Sequence, residues 1–554
     1  MGGVAAGVPR WIVPAALIVL WGVLCAWALE RLLRMGVALI TKVIGAVATL
    51  AFPNGGLVAF LLLGDRTPQV ERELGISRFQ RHRRTPAIRL PAGPGFGPRC
   101  YARTPPVRSW EAAPIVDDRD GARMPADKKQ LTLAGSVSLG TGVMIGAGIF
   151  ALVGQVAEVA GDWFPAAFVA GAVVAATSSY AYARYSSVNP SAGGIAMLLK
   201  DAYGSGVAAG SFTLFMYVSM VIAESLLART FGTYLLRPFG MQDSVVLVPV
   251  LGVLAIAAAA VVNLVGNSLV ERSAMATAIL KIVGIAALAI AGLVAAALSG
   301  AGLFAQASGQ SVQPFGLLAG VALCVLAYKG FTTITNQGDD IRDAKQNIAR
   351  SIVISLAICA VLYFLITLSV AASIGADGAV EARDYALAEA ARPLFGQWGV
   401  ALTVVVAVVA TLSGLLASLY SVSRLYAMLQ DMRQAPTLPA KVPQQPLLIT
   451  AGLAILVTAF LDLSQIASMG VVLYLTMDIA VQWGVARRLR TKLEANRWLP
   501  ALTIAFDIAI LVPFTVLKVQ SSPWTIVVAG SVAAAIFIGQ AIVVGRRGAD
   551  SSSG

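Results

Sequence analysis

The chain has 554 residues, 58% of them hydrophobic and only 12% charged, with a mean hydropathy of +0.79. A soluble domain carries about 25% charged residues, so a soluble globular fold is excluded and an all-α integral membrane protein is indicated. The net charge of +13 is no nucleic-acid footprint, because the basic residues lie mostly in short loops between apolar runs, where they set orientation.

In chain order, residues 1–63 hold two apolar runs, about 11–29 and 37–63, and predict an N-terminal two-span segment. A cleaved signal peptide fits the first run poorly, since only Arg10 precedes it and no small-residue cleavage site follows Ala28. Residues 64–129, rich in Arg and Pro and without periodicity, predict a basic cytoplasmic linker. An even number of N-terminal spans keeps that linker cytoplasmic but places Arg31 and Arg34 outside.

Residues 130–545 read as twelve spans with short loops, and 546–554 as a cytoplasmic tail. The spans fall at about 131–154, 165–185, 206–232, 245–263, 273–298, 314–338, 350–373, 396–428, 446–462, 465–486, 499–519 and 523–545. Lys128 and Lys129, Arg184 and Lys200, the run Arg487 to Arg497, and Arg546 with Arg547 all fall on one side if the spans alternate. The positive-inside rule puts that side, and both ends of this region, in the cytoplasm of a plasma-membrane protein.

Four features carry chemistry. Span 1 contains Gly142-Val-Met-Ile-Gly-Ala-Gly-Ile-Phe150. Gly146 and Gly148, flanking Ala147, each cost roughly 1 kcal/mol of helix stability relative to Ala. Unwinding over Ile145, Gly146, Ala147, Gly148 and Ile149 would expose N–H groups to a carboxylate. Small residues that merely let helices approach closely explain the spacing equally well. Span 6 carries Tyr328, Lys329, Gly330 and Phe331 in an aliphatic run. This cluster reads as the wall of a small-molecule site or as a buried packing step, with Lys329 snorkelling or pointing into a cavity. Lys281, inside span 5, is a candidate proton carrier, with snorkelling to the cytoplasmic face as its alternative. Asn189-Pro-Ser-Ala-Gly-Gly194 predicts a tight turn before a short amphipathic segment. Glu224, Arg229, Asp478 and Asp507 are intramembrane charges to which the sequence assigns no role. Cys25, Cys100, Cys324 and Cys359 have no metal spacing, and the single histidine, His82, lies in a basic loop, so no histidine relay crosses the membrane.

Several motifs in one order resemble the amino acid–polyamine–organocation permeases. They are Gly140-Thr-Gly-Val-Met-Ile-Gly-Ala-Gly-Ile-Phe150, Tyr180-Ala-Tyr-Ala-Arg-Tyr185, Pro190-Ser-Ala-Gly-Gly194, Asn263-Leu-Val-Gly266, Tyr328-Lys-Gly-Phe331, Asp340 to Arg350, and Ser423-Arg-Leu-Tyr-Ala-Met428. The resemblance covers about residues 130–545. It implies a LeuT-type fold with two inverted five-span repeats, 131–298 and 314–487, and peripheral spans 11 and 12 over 499–545. It also implies a substrate carboxylate on the backbone of Ile145 to Ile149, and an amino group on carbonyls of a span-6 break at Ala327, Tyr328, Gly330 and Phe331. Lys281 matches a lysine whose ammonium takes the place of a sodium ion in proton-coupled members. Thr411 and Ser413 match sodium-ligand positions more weakly.

Two departures stand out. Lys329 occupies a place where many members have a neutral or acidic residue, which disfavours a dibasic substrate. Asp343-Ala-Lys stands where Asn-Pro-Lys is common. The run Phe52 to Arg66 is similar to the two-span leader of phospholipase D-type nucleases. The expectation is a non-enzymatic, proton-coupled amino acid importer in a lipid bilayer, with no cofactor, metal or nucleic acid. Sodium is the less favoured coupling ion. Rival readings are an amino acid/amine exchanger and a membrane amino-acid sensor.

Overall fold

The structure is a computed structural model that describes residues 131–191, 194–265, 268–298, 313–436 and 444–550. The expected N-terminal two-span segment, the linker and the last four residues of the tail lie outside these.

The described residues are almost wholly helical. The helices are α1 Leu133–Ala160, α2 Phe164–Val188, α3 Gly194–Tyr203, α4 Val207–Leu236, α5 Leu247–Val265, α6 Ser268–Leu298, α7 Pro314–Tyr328 and α8 Thr332–Thr335. They continue as α9 Ala344–Ala382, α10 Ala386–Asp431, α11 Gln445–Phe460, α12 Leu463–Gly484, α13 Arg490–Leu493, α14 Trp498–Ser521 and α15 Pro523–Asp550. Nine segments among them are long and apolar enough to cross a membrane, and α11 is a shorter apolar helix. Leu133–Val188 and Ala344–Asp431 each contain two long helices, while Pro314–Thr335 and Leu463–Leu493 each join a long helix to a single short turn of helix.

Local chemistry explains most of the boundaries. Thr132 caps α1, its hydroxyl accepting from the Gly135 N–H at 3.2 Å. Gly161 ends α1 at a φ of +56°, in the left-handed range that glycine tolerates. Asp462 and Gln465 form a reciprocal capping box at the start of α12. Gly375 and Gly396 take φ values of +68° and +56° and break the helical path inside α9 and α10. These two glycines fall where the seventh predicted span ends and the eighth begins. Only the short helical legs 376–382 and 386–395 lie beyond them.

α1 is the axis of the bundle, packed by α4, α6, α7, α9 and α10. The strand-like residue ahead of it pairs with the chain that follows α8. Leu131 N–H donates to Asp340 O at 2.7 Å, and Arg342 N–H donates to Leu131 O at 2.9 Å. Arg424 near the end of α10 clamps the same corner through ion pairs to Asp339 and Asp340. Gly154 shows how tightly α1 is held: a Cβ there would stand 2.1 Å from Arg383 O and 2.6 Å from Ala379 O.

That crowding gives a paired prediction. Gly154→Ala must push backbone aside and destabilises the fold by about 1–3 kcal/mol. Gly452→Ala, in α11 with nothing near its added methyl, gains up to about 1 kcal/mol of helix propensity. Thermal unfolding of the purified variants checks both signs. A neutral Gly154→Ala would show the contact to be slack.

Candidate functional site

The sixth predicted span is interrupted, as its sequence suggests. α7 stops at Tyr328, a 3₁₀ turn runs over Lys329–Phe331, and one helical turn follows at α8. The backbone stays right-handed throughout, so the interruption tightens the helix and does not unwind it. A mid-helix 3₁₀ stretch often marks a functional hinge. Here it disturbs the carbonyl ladder, and side chains compensate: Thr332 Oγ1 donates to Lys329 O at 3.0 Å and Thr335 Oγ1 to Thr332 O at 2.7 Å.

The first span corrects the expectation. α1 runs unbroken through Ile145, Gly146, Ala147, Gly148 and Ile149. Their N–H groups are engaged in the helix and are not presented to a carboxylate in this conformation. The glycines serve contact instead. A Cβ on Gly148 would lie 2.7 Å from Ala327 Cβ and 2.8 Å from Ala327 Cα and O. One on Gly146 would lie 3.0 Å from Ala410 O and 3.3 Å from Gly414 Cα. The approach is mutual, since a Cβ on Gly330 would meet Met144 N at 2.7 Å. The two segments singled out by sequence are therefore brought together, backbone against backbone.

The remaining predicted residues fall as follows. Ile145, Ile149, Tyr328 and Phe331 are fully buried, and Ala327 nearly so. Tyr328 turns toward α2 and α9, its hydroxyl donating to Phe168 O at 3.1 Å and its ring 5.0 Å from that of Tyr363. Phe331 meets Tyr182 edge-on at 5.5 Å. Both rings act as packing steps in this conformation. Lys281 does not snorkel: it is 1% exposed, and its ammonium donates to Gly142 O at 3.0 Å, one turn before Gly146. Thr411 and Ser413 bond carbonyls of their own helix, at Ala407 and Val409. Gly194, the first residue of α3, is closely packed, for a Cβ there would lie 2.5 Å from Thr335 O at the end of α8. A cavity of about 690 Å³ sits elsewhere, between the end of α1, the start of α7 and the end of α14, lined among others by Glu158, Asp162, Asp377 and Lys518.

Lys329 turns inward. It is buried, donates to Ser219 of α4 and lies 5.1 Å from the centre of the Tyr474 ring of α12. Glu224 of α4, fully buried with Ser418 Oγ donating to it at 3.4 Å, interacts electrostatically with that ammonium. Sequence reading passed over Glu224. The available signal was an acid eighteen residues into an apolar span, where an ionisable group is functional by default.

An amino acid permease family model matches residues 131–544, three quarters of the chain and all but the last six residues of the helical region described above. The chain belongs to the amino acid permease family. It is 31% identical over 401 residues to the inner membrane transport protein YbaT of Escherichia coli, covering 69% of this chain and 89% of that one. It is 26% identical to the vacuolar cationic amino acid transporter 4 of Arabidopsis thaliana, over 62% of this chain and 60% of that one. Among solved structures, a mutant manganese transporter of Eremococcus coleocola is similar with a TM-score of 0.49 and 11% identity, over 74% of this chain and 93% of that one. The permease is thus a multi-pass membrane transporter and not an enzyme.

Lys329 and Glu224, both buried and coupled electrostatically without an ion-pair contact among the described residues, make a prediction for the permease. Lys329→Met or Glu224→Gln alone leaves the other group less compensated in a dry interior and costs about 1–3 kcal/mol. The double variant recovers most of that loss. A thermal-unfolding double-mutant cycle that is additive would show that the two side chains do not interact.

Proposed function

We propose that the permease imports neutral amino acids by alternating access, coupled to protons through Lys281. The observation that carries this reading is the 3₁₀ turn Lys329–Phe331 seated on the glycine segment of α1, with the Lys281 ammonium on Gly142 O one turn away. In this reading the chain has twelve spans in its permease region. Spans 1–5 and 6–10 form inverted repeats, and both ends of the region lie in the cytoplasm beneath a plasma membrane.

A substrate carboxylate needs N–H donors, and Ile145 to Ile149 supply them only when α1 opens. Opening there is cheap, because each glycine already costs the helix roughly 1 kcal/mol relative to alanine. Once α1 parts, its C-terminal half begins a new helix whose positive end faces the anion. The 3₁₀ turn would offer carbonyls of Ala327 and Tyr328 to the amino group, with Gly330 leaving room beside Met144. Lys329 and Glu224 occupy the flank of this site. A fixed cation there opposes a second positive charge on the substrate, so neutral side chains fit better than dibasic ones.

Lys281 provides the coupling. Its ammonium ties α6 to α1 by a charge-assisted hydrogen bond, which weakens when the proton leaves. Substrate opening of α1 disturbs the same carbonyl. Proton and substrate therefore bias one element, as coupling requires.

Reconstituted in proteoliposomes, Lys281→Ala loses accumulation driven by a pH gradient and retains substrate counterflow. Full pH-driven uptake by this variant would remove Lys281 from the coupling. Neutral amino acids at a hundred times Kd should stabilise the protein by about 2.7 kcal/mol in thermal unfolding. Stabilisation without flux would favour a sensor, and none with any amino acid would overturn the transport reading.

A further inference from the structure

Two acids that the transport reading leaves unused are among the most deeply buried groups of the permease. Asp478 lies in α12 and Asp507 in α14, both fully buried. Their carboxyl groups interact across the α12–α14 contact. Asp478 Oδ1 accepts from the Tyr182 hydroxyl of α2 at 2.6 Å and from Gln482 Nε2 at 3.4 Å. Asp478 Oδ2 and both oxygens of Asp507 make no hydrogen bond of ordinary geometry among the described residues, and the nearby Ser178 and Tyr474 hydroxyls make none as donors either. Gln482, itself fully buried, is fixed by its bond to Ser178 O at 3.0 Å, and its Oε1 is also unsatisfied. These four acceptor oxygens outnumber the two hydroxyl donors beside them, those of Ser178 and Tyr474.

Among the described residues no cation is paired with either carboxyl. The titratable groups that reach the carboxyls are Tyr182 from α2 and Tyr474 from α12. The other helices packed on α14 bring no charge, for neither 314–328 of α7 nor 523–545 of α15 contains Asp, Glu, Lys, Arg or His. The nearby arginines are turned elsewhere: Arg184 to Leu493 O, Arg487 over Trp483, and Arg488 to Ala202 O. Lys329 donates to Ser219 and lies over the Tyr474 ring. Two ionised carboxylates would offer only acceptors to each other in a dry interior. One proton turns one of them into a donor and removes one charge.

We propose that Asp478 and Asp507 hold a single proton between them, forming a proton-binding site separate from Lys281. The site is wired to the hinge, because Tyr182, which donates to Asp478, carries the ring on which Phe331 packs. Loss of the proton leaves two facing anions, which pull Tyr182 and α14 out of register with the 3₁₀ turn. The proposal does not depend on which substrate is carried.

Infrared difference spectroscopy on the purified full chain in nanodiscs tests it. The wild type should show a protonated-carboxyl stretch at neutral pH that shifts in heavy water. That band should be lost in both Asp507→Asn and Asp478→Asn, and kept in Lys281→Ala. Should one amide variant fail to fold, the other suffices, since either removes the shared proton. A carboxyl region unchanged by both substitutions would overturn the proposal. So would a rise in wild-type melting temperature with sodium over potassium at equal ionic strength that both variants lose, since that identifies two carboxylates around a metal cation.

Discussion

The close approach of α1 and α7 is the constraint on which the centre of the permease depends. Gly148 lies directly on the Ala327 backbone, and Gly330 lies on Met144. Side chains at these places would hold the two helices apart by the width of a methyl group or more. Without them, the tightened turn Lys329–Phe331 is wedged against the axis of the bundle. Its own side chains must then point away from α1. Tyr328 goes to α2 and α9, Phe331 to Tyr182, and Lys329 to α4 and α12. One backbone contact thus decides where three side chains lie.

The same compact centre explains why its charges occur in compensated groups. Lys329 is answered by Glu224 and Ser219, and Lys281 by the carbonyl of Gly142. An unpaired charge in such an interior costs several kcal/mol, and an ion pair returns little more than it costs to bury. These groups add little to stability. In the proposed transport cycle they respond when a partner moves, since each of them bridges two helices.

The helix positions were legible in the sequence because apolar run length and loop charge report directly on membrane crossing. Even the glycines that end the seventh span and begin the eighth, Gly375 and Gly396, coincide with breaks in the path. A break at Ala327 to Phe331 was implied by the family resemblance, whereas the residues alone, aromatic, charged and glycine in an aliphatic run, did not show that the helix would tighten. The state of α1 was not legible either. Glycine spacing is the same whether a helix unwinds or packs closely, and only the neighbours, Ala327, Ala410 and Gly414, decide which occurs. The direction of Lys329 was equally hidden. Ser219, Glu224 and Tyr474 lie more than a hundred residues away in the chain, and no local pattern shows which way a long side chain turns. Asp478 and Asp507 were passed over for the same reason, each having its partner on another helix.

The account rests on α1 opening at its glycines when an amino acid binds beside the 3₁₀ turn. Hydrogen–deuterium exchange of peptides covering 142–150 and 327–336, with and without a stabilising amino acid, measures this most directly. Exchange in both segments should change together on binding, while the peripheral helix Leu247–Val265 stays as it was. Binding that leaves both segments unaltered would contradict the account.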